Sequence, residues 1–185
     1  MRERPNVDPR SAVVVAVAVI VAVVAVIAVP SAMAAGPIRT VFTPGPFTFF
    51  AGQGCAFDVR AVPDEDARVV ITEFDDGRVV TQGHGNATLT NLETGASIVT
   101  RSRARIVDTP GPEANELLVE ISGQINFAFF PGDPGPFGEV GEPGLLLHMV
   151  GHQRFTLADV GQPTERLVEF SFSGRTTDIC ALLSD

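Results

Sequence analysis

Apolar and polar residues alternate along much of this chain. In Cys55-Ala56-Phe57-Asp58-Val59-Arg60 one face carries Cys, Phe and Val, and the other Ala, Asp and Arg. In 166–173, Val168, Phe170 and Phe172 share a face against Glu169, Ser171 and Ser173. A period of two marks a strand with one buried side. The same reading gives strands at 47–51, 68–74, 78–82, 86–92, 96–107, 116–130 with a break at Gly123, 144–150, 153–157 and 178–183. Asp76-Gly77 sits between two of them and favours a tight hairpin. After residue 35 no stretch of a dozen residues carries a helical period. The expected fold is all-β: a small antiparallel β-barrel or β-sandwich of about eight strands.

A different pattern precedes it. Residues 12–29 form an unbroken apolar run behind Arg2, Arg4 and Arg10, followed by Pro30 and the small-residue site Ala32-Met33-Ala34. That order is a secretory signal peptide. The run also nearly reaches the roughly 20 residues that span a bilayer, so an uncleaved N-terminal membrane anchor is the alternative. The division is therefore 1–35, signal or anchor, and 36–185, one exported β domain, secreted or held at the cell surface. In an oxidising compartment Cys55 and Cys180 are expected to form a disulfide joining the start of the domain to its end.

From Gly36 onward there are 10 arginines, no lysine and 20 aspartates and glutamates, a formal charge of −10. Such a balance disfavours nucleic acid and anionic membrane surfaces. Membrane contact is left to the N-terminal segment if it is not cleaved. Arg101, Arg103 and Arg105 alternate along one strand, with Ile98, Thr100, Ser102, Ala104 and Ile106 facing a crowded interior. Antiparallel pairing would set Glu116 and Glu120 opposite the arginines as a charge-paired face. Left unpaired, three forked guanidiniums at strand spacing would suit an extended anion. The Pro- and Gly-rich stretch 131–144 is too poor in ladder donors for a strand and reads as a long loop, a place for partner contact through Asp133 and Phe137.

Residues fit for chemistry are few. His148 and His152 have the spacing of a helical metal site, but their surroundings read as strand, which would hold them roughly 13 Å apart. Asp64-Glu65-Asp66 and Asp75-Asp76 lack the ligand spacing of a calcium loop. His84 reads as a turn residue. No nucleophile elbow occurs, and there is no tyrosine or tryptophan; all 13 aromatic residues are Phe. No catalytic residue, metal or cofactor is implied. The expected function is a non-enzymatic binding or surface-interaction module whose partner is a small apolar ligand or a cell-envelope component. The alternative is a barrel-type enzyme, cyclase- or hydrolase-like, with histidine and carboxylate converging in a cavity.

The succession Cys-x-Phe-x-Val (55–59), Asp-Gly-Arg (76–78), Thr-Asn-Leu-x-Thr-Gly-x-Ser (90–97), Gly-Glu-Pro-Gly-Leu (141–145) and Cys180 resembles uncharacterised secreted β-rich proteins of high-GC Gram-positive bacteria. The resemblance implies one small exported β domain with its ends bridged, and no known activity.

Overall fold

The computed structural model describes residues 36–184; the apolar run and the small-residue site behind it lie outside the described residues. Eleven strands and one short helix follow in order: β1 Ile38–Phe42, β2 Phe47–Phe49, β3 Val59–Pro63, β4 Arg68–Glu73, β5 Val79–Asn91, β6 Ser97–Pro110, β7 Leu117–Phe129, β8 Pro134–Gly135, β9 Gly138–Glu139, β10 Leu145–Ala158, β11 Arg166–Asp178 and α1 Ile179–Leu182. Nine strands form one antiparallel sheet whose backbone is the meander β5-β6-β7-β10-β11. All-β architecture is as the alternation predicts.

Closure is not. The outer edge of β5 serves two short strands in succession, β4 along residues 79–84 and β3 along 87–91. Each leads to another short strand, β1 beyond β4 and β2 beyond β3. That edge thus ends in two stubby arms, and among the described residues neither pairs with β11. The sheet is an open, strongly folded one, neither a closed barrel nor two separate sheets.

A row of small residues folds it. Gly83, Ala104, Gly123, Gly151 and Gly174 are successive cross-strand partners on five neighbouring strands. Gly123 has φ +120°, and a Cβ there would stand 2.1 Å from the Arg103 carbonyl oxygen. Only glycine admits such an approach at that φ. The expected break at Gly123 is therefore absent: β7 runs through it. Just past this row the β6–β7 ladder ends at Arg103–Gln124. Residues 97–102 of β6 stay with β5, while 125–129 of β7 stay with β10.

Where the two halves part, side chains replace the ladder. Asn126 Nδ2 donates to Thr100 Oγ1 at 2.7 Å, and Thr100 Oγ1 reaches the Ala87 carbonyl at 3.4 Å. His148 Nδ1 lies 2.9 Å from Asn126 Oδ1. Since that oxygen can only accept, the imidazole carries its proton on Nδ1. Beyond the parting, β10 is covered on both faces. Leu146 packs with Leu89, Val59 and Cys55, and Leu147 and Met149 pack with Phe129 and Val140. Burial on both sides explains the continuous run Leu145-Leu146-Leu147, which a half-buried strand would not show.

Several expected boundaries move. The segments 78–82 and 86–92 are one strand, so His84 lies mid-strand and exposed, not in a turn. The segments 144–150 and 153–157 are likewise one strand. Residues 55–58 bend instead of pairing, with the Asp58 carboxylate accepting the Ala51 N–H at 2.7 Å. The strand β1 was not expected. A bulge after Thr156–Glu169 passes over Val168, which turns outward while Leu167 takes the buried place. The expected last strand is α1: Ile179 and Leu183, four apart, are both buried, and Asp178 caps the helix through the Ala181 N–H at 3.0 Å. The hairpin after β4 spans Asp75-Asp76-Gly77 with only Gly77 at positive φ, the three-residue form.

The disulfide forms as expected, Cys55 to Cys180, with 5.5 Å between the Cα atoms. Asn91 reinforces it: the buried Nδ2 donates to the Leu183 carbonyl at 3.0 Å, and the Oδ1 holds the following turn through Glu93 N–H at 2.8 Å. Among the described residues no helix is long and apolar enough to cross a membrane.

Candidate functional site

The concave face of the sheet holds a cavity of about 250 Å³. Its shape follows from residue size. Along β5 and β6 the inward positions are Gly83, Gly85, Ala87, Ser102 and Ala104, which project little or nothing from the backbone. Across from them stand Ile121, Ile125, Phe127, Phe155 and Leu157 of β7 and β10. Phe127 is held by ring contacts to Phe155 at 5.5 Å and Phe129 at 4.7 Å. Phe47 and Phe49, 5.0 Å apart and edge to face, line another side with Phe42 and Pro44. The inner face of β6, expected to be crowded, is instead the thin wall of this space.

Its polar groups are sparse. Asp108 on β6 is 7% exposed and lines the cavity. Burial pushes its carboxyl up to about 6, with no hydrogen bond to offset it. Thr81 on β5 is buried, and its hydroxyl has no partner among the described residues. The register sets Val79 opposite Asp108 and Thr81 opposite Ile106, so the carboxyl and the hydroxyl are diagonal neighbours on one face. Asn126 and Ser102 also line the space, and Asn126 is already engaged by Thr100 and His148.

Of the residues singled out from sequence, His84 borders the cavity and the others lie elsewhere. Arg101, Arg103 and Arg105 are exposed on the outer face of β6, away from the cavity. Their cross-strand partners are Asn86, His84 and Gln82 on β5, with Gln124 and Ser122 on β7. The expected pairing with Glu116 and Glu120 does not occur. Glu120 lies opposite Val107 and meets Arg154 at 3.9 Å, while the Glu116 carboxylate accepts the Glu113 N–H at 3.3 Å. The observed register would have to shift by six positions to set both Glu116 and Glu120 opposite arginines, and Glu116 lies before β7 begins. Among the described residues none of the three arginines has an ion-pair partner.

Asp133 and Phe137 sit in the 131–144 segment, which carries the two-residue ladder β8–β9 after all. Asp133 shapes that turn, its carboxylate accepting the Phe130 N–H at 2.8 Å. Burial raises its pKa, and the Phe130 bond opposes the rise. Phe137 projects from the hairpin, 75% exposed. Neither lines the cavity, and Val140 of the same segment seals Phe129.

On β10, His148 and His152 face β7 and are separately occupied, His148 by Asn126 and His152 by Ser122 Oγ at 2.9 Å. Burial lowers the His148 pKa. Among the described residues no cluster of three His, Cys, Asp or Glu side chains could hold a metal.

Asp108 was the residue sequence reading passed over. The parity that turns Ile98 through Ile106 inward also turns Asp108 inward, and a carboxylate on an apolar face was the available signal. No family model matches the chain, and no curated protein or solved structure matches it.

Proposed function

We propose that this protein is an exported, non-enzymatic binding module that holds a small, largely apolar ligand in the concave face of its sheet. One observation carries the reading: a cavity of about 250 Å³ walled by glycine and alanine on one side and by phenylalanine and aliphatic side chains on the other. Protein interiors are close-packed, so an apolar space of this size represents forgone burial unless something occupies it. Export is supported by the basic-then-apolar order of residues 2–29 and by the Cys55–Cys180 bridge. An acid–base enzyme in this cavity would need an imidazole meeting a carboxylate there; His148 and His152 are held by an amide and a hydroxyl, and His84, which borders the space, stands opposite Arg103 on the outward parity of β5.

Titration with the neutral fluorophore N-phenyl-1-naphthylamine tests the reading. The wild-type protein is expected to bind it saturably, with octan-1-ol displacing it. Ala87→Phe, which fills the space from its thin wall outside the row of small residues, is expected to abolish the signal while leaving the far-ultraviolet circular dichroism of the sheet unchanged. No saturable binding by the wild type, or equal binding by a folded Ala87→Phe variant, would overturn it.

A further inference from the structure

We propose that the cavity selects apolar amines, with the Asp108 carboxylate receiving the ligand's ammonium group; this rests on the apolar-ligand reading above. Asp108 is 93% covered yet lines the cavity, and no hydrogen bond or ion pair reaches its carboxylate among the described residues. Thr81, the diagonal neighbour, is 2% exposed with its hydroxyl oxygen unpartnered. Buried polar groups in folded proteins are nearly always satisfied, and here the Asp108 carboxylate opens onto the cavity with no partner while the Thr81 hydroxyl beside it is closed off and equally unpartnered, so a ligand's polar group belongs at Asp108. A carboxylate offers acceptors only. The matching ligand group is therefore a donor, and a donor with positive charge neutralises what the apolar walls leave exposed.

The surrounding charges favour a cation. In the same cross-strand row, Glu73 of β4 follows Val79 and Asp108, adding a second carboxylate two strands away. From β7 and β10 the facing side chains are Leu117, Val119, Phe155 and Leu157, none ionisable. Among the described residues the guanidinium that lines the cavity is that of Arg68; it lies further along the sheet, opposite His84, which also borders the space, and is engaged by the Glu65 and Ala67 carbonyls at 2.7 Å. An ammonium on a chain of six to ten carbons would place its charge at Asp108 and its tail against Phe127 and Phe155.

The test compares three eight-carbon probes, octylamine, octan-1-ol and octanoate, displacing N-phenyl-1-naphthylamine from the wild type and from Asp108→Asn at pH 7.5. A charge-assisted bond is roughly twice as strong as a neutral one, so octylamine is expected to bind about tenfold tighter than octan-1-ol, with octanoate weakest. In Asp108→Asn the amine and alcohol are expected to converge. Saturable octan-1-ol binding with no preference for the amine would overturn the amine proposal and leave the apolar cavity standing. Failure of all three probes and of the fluorophore would overturn both. The wild-type comparison needs no variant, so a poorly folding Asp108→Asn does not blunt the test.

Discussion

Burial holds the Asp108 carboxyl at about 6, whereas in the unfolded chain it titrates at the ordinary 3.8. Between those values the unfolded chain releases a proton that the folded chain keeps, so stability falls as pH rises through this window. The loss is at most about 3 kcal/mol, at 1.36 kcal/mol per pH unit of difference. Asp108→Asn is therefore expected to melt higher than the wild type at pH 7.5 and level with it near pH 3.5, followed by circular dichroism at both values. His148 works in the opposite sense. Its folded pKa lies below the ordinary 6.5, so stability falls as acid protonates the unfolded chain first. His148→Gln should gain more stability than the wild type when urea unfolding is moved from pH 7 to pH 5. Neither effect was legible in the sequence. The parity of β6 could have placed Asp108 inward, but its missing partner depends on which side chains the neighbouring strands bring opposite it. The arginines show the same limit: their spacing was readable, but which residues stand opposite them was set by a register that alternation alone does not specify.

At the scale of elements, alternation found nearly every long strand and misplaced most of their interruptions. Glycine caused the errors. Gly85, Gly123 and Gly151 read as punctuation, yet each lies inside a continuous strand of thirteen or fourteen residues. Their meaning is collective, since Gly83, Gly123, Gly151 and Gly174 line up with Ala104 only once the strands are paired. A one-dimensional pattern carries no trace of that alignment. The row can be tested at Gly151, where φ is +149° and an added Cβ would meet the Ser173 carbonyl oxygen at 2.1 Å. Gly151→Ala is expected to lower stability by roughly 2–4 kcal/mol in denaturant unfolding, through backbone strain and a contact with main chain that cannot yield. Gly141→Ala, with nothing within 4 Å of its added Cβ and no positive φ, should stay within about 0.5 kcal/mol of wild type. Equal effects at the two positions would mean that the close approach along the row is not what shapes the sheet.

Across the whole molecule, β6 separates two surfaces, the cavity on its inner face and the arginines on its outer one. Substituting Arg101, Arg103 and Arg105 together by Ser should therefore leave fluorophore binding unchanged. The disulfide acts differently, because it joins residues 125 apart in sequence and its cluster shares Phe49 and Ala61 with the cavity wall. On the chain-entropy account a loop of that length is worth about 5 kcal/mol, an upper figure. Part of the same closure is made without it: Ile179 and Leu183 are fully buried, and Asn91 holds the Leu183 carbonyl. Those contacts keep the native ends together but do not restrict the unfolded chain, which is where a cross-link acts. Replacing both cysteines by serine is accordingly expected to preserve the sheet's circular dichroism at 20 °C while lowering unfolding free energy by about 3–5 kcal/mol, read from the shift of the urea midpoint. A drop below about 1 kcal/mol would assign the closure to α1 and Asn91 alone, and loss of the sheet signal at 20 °C would show that those contacts cannot hold the ends without the bridge.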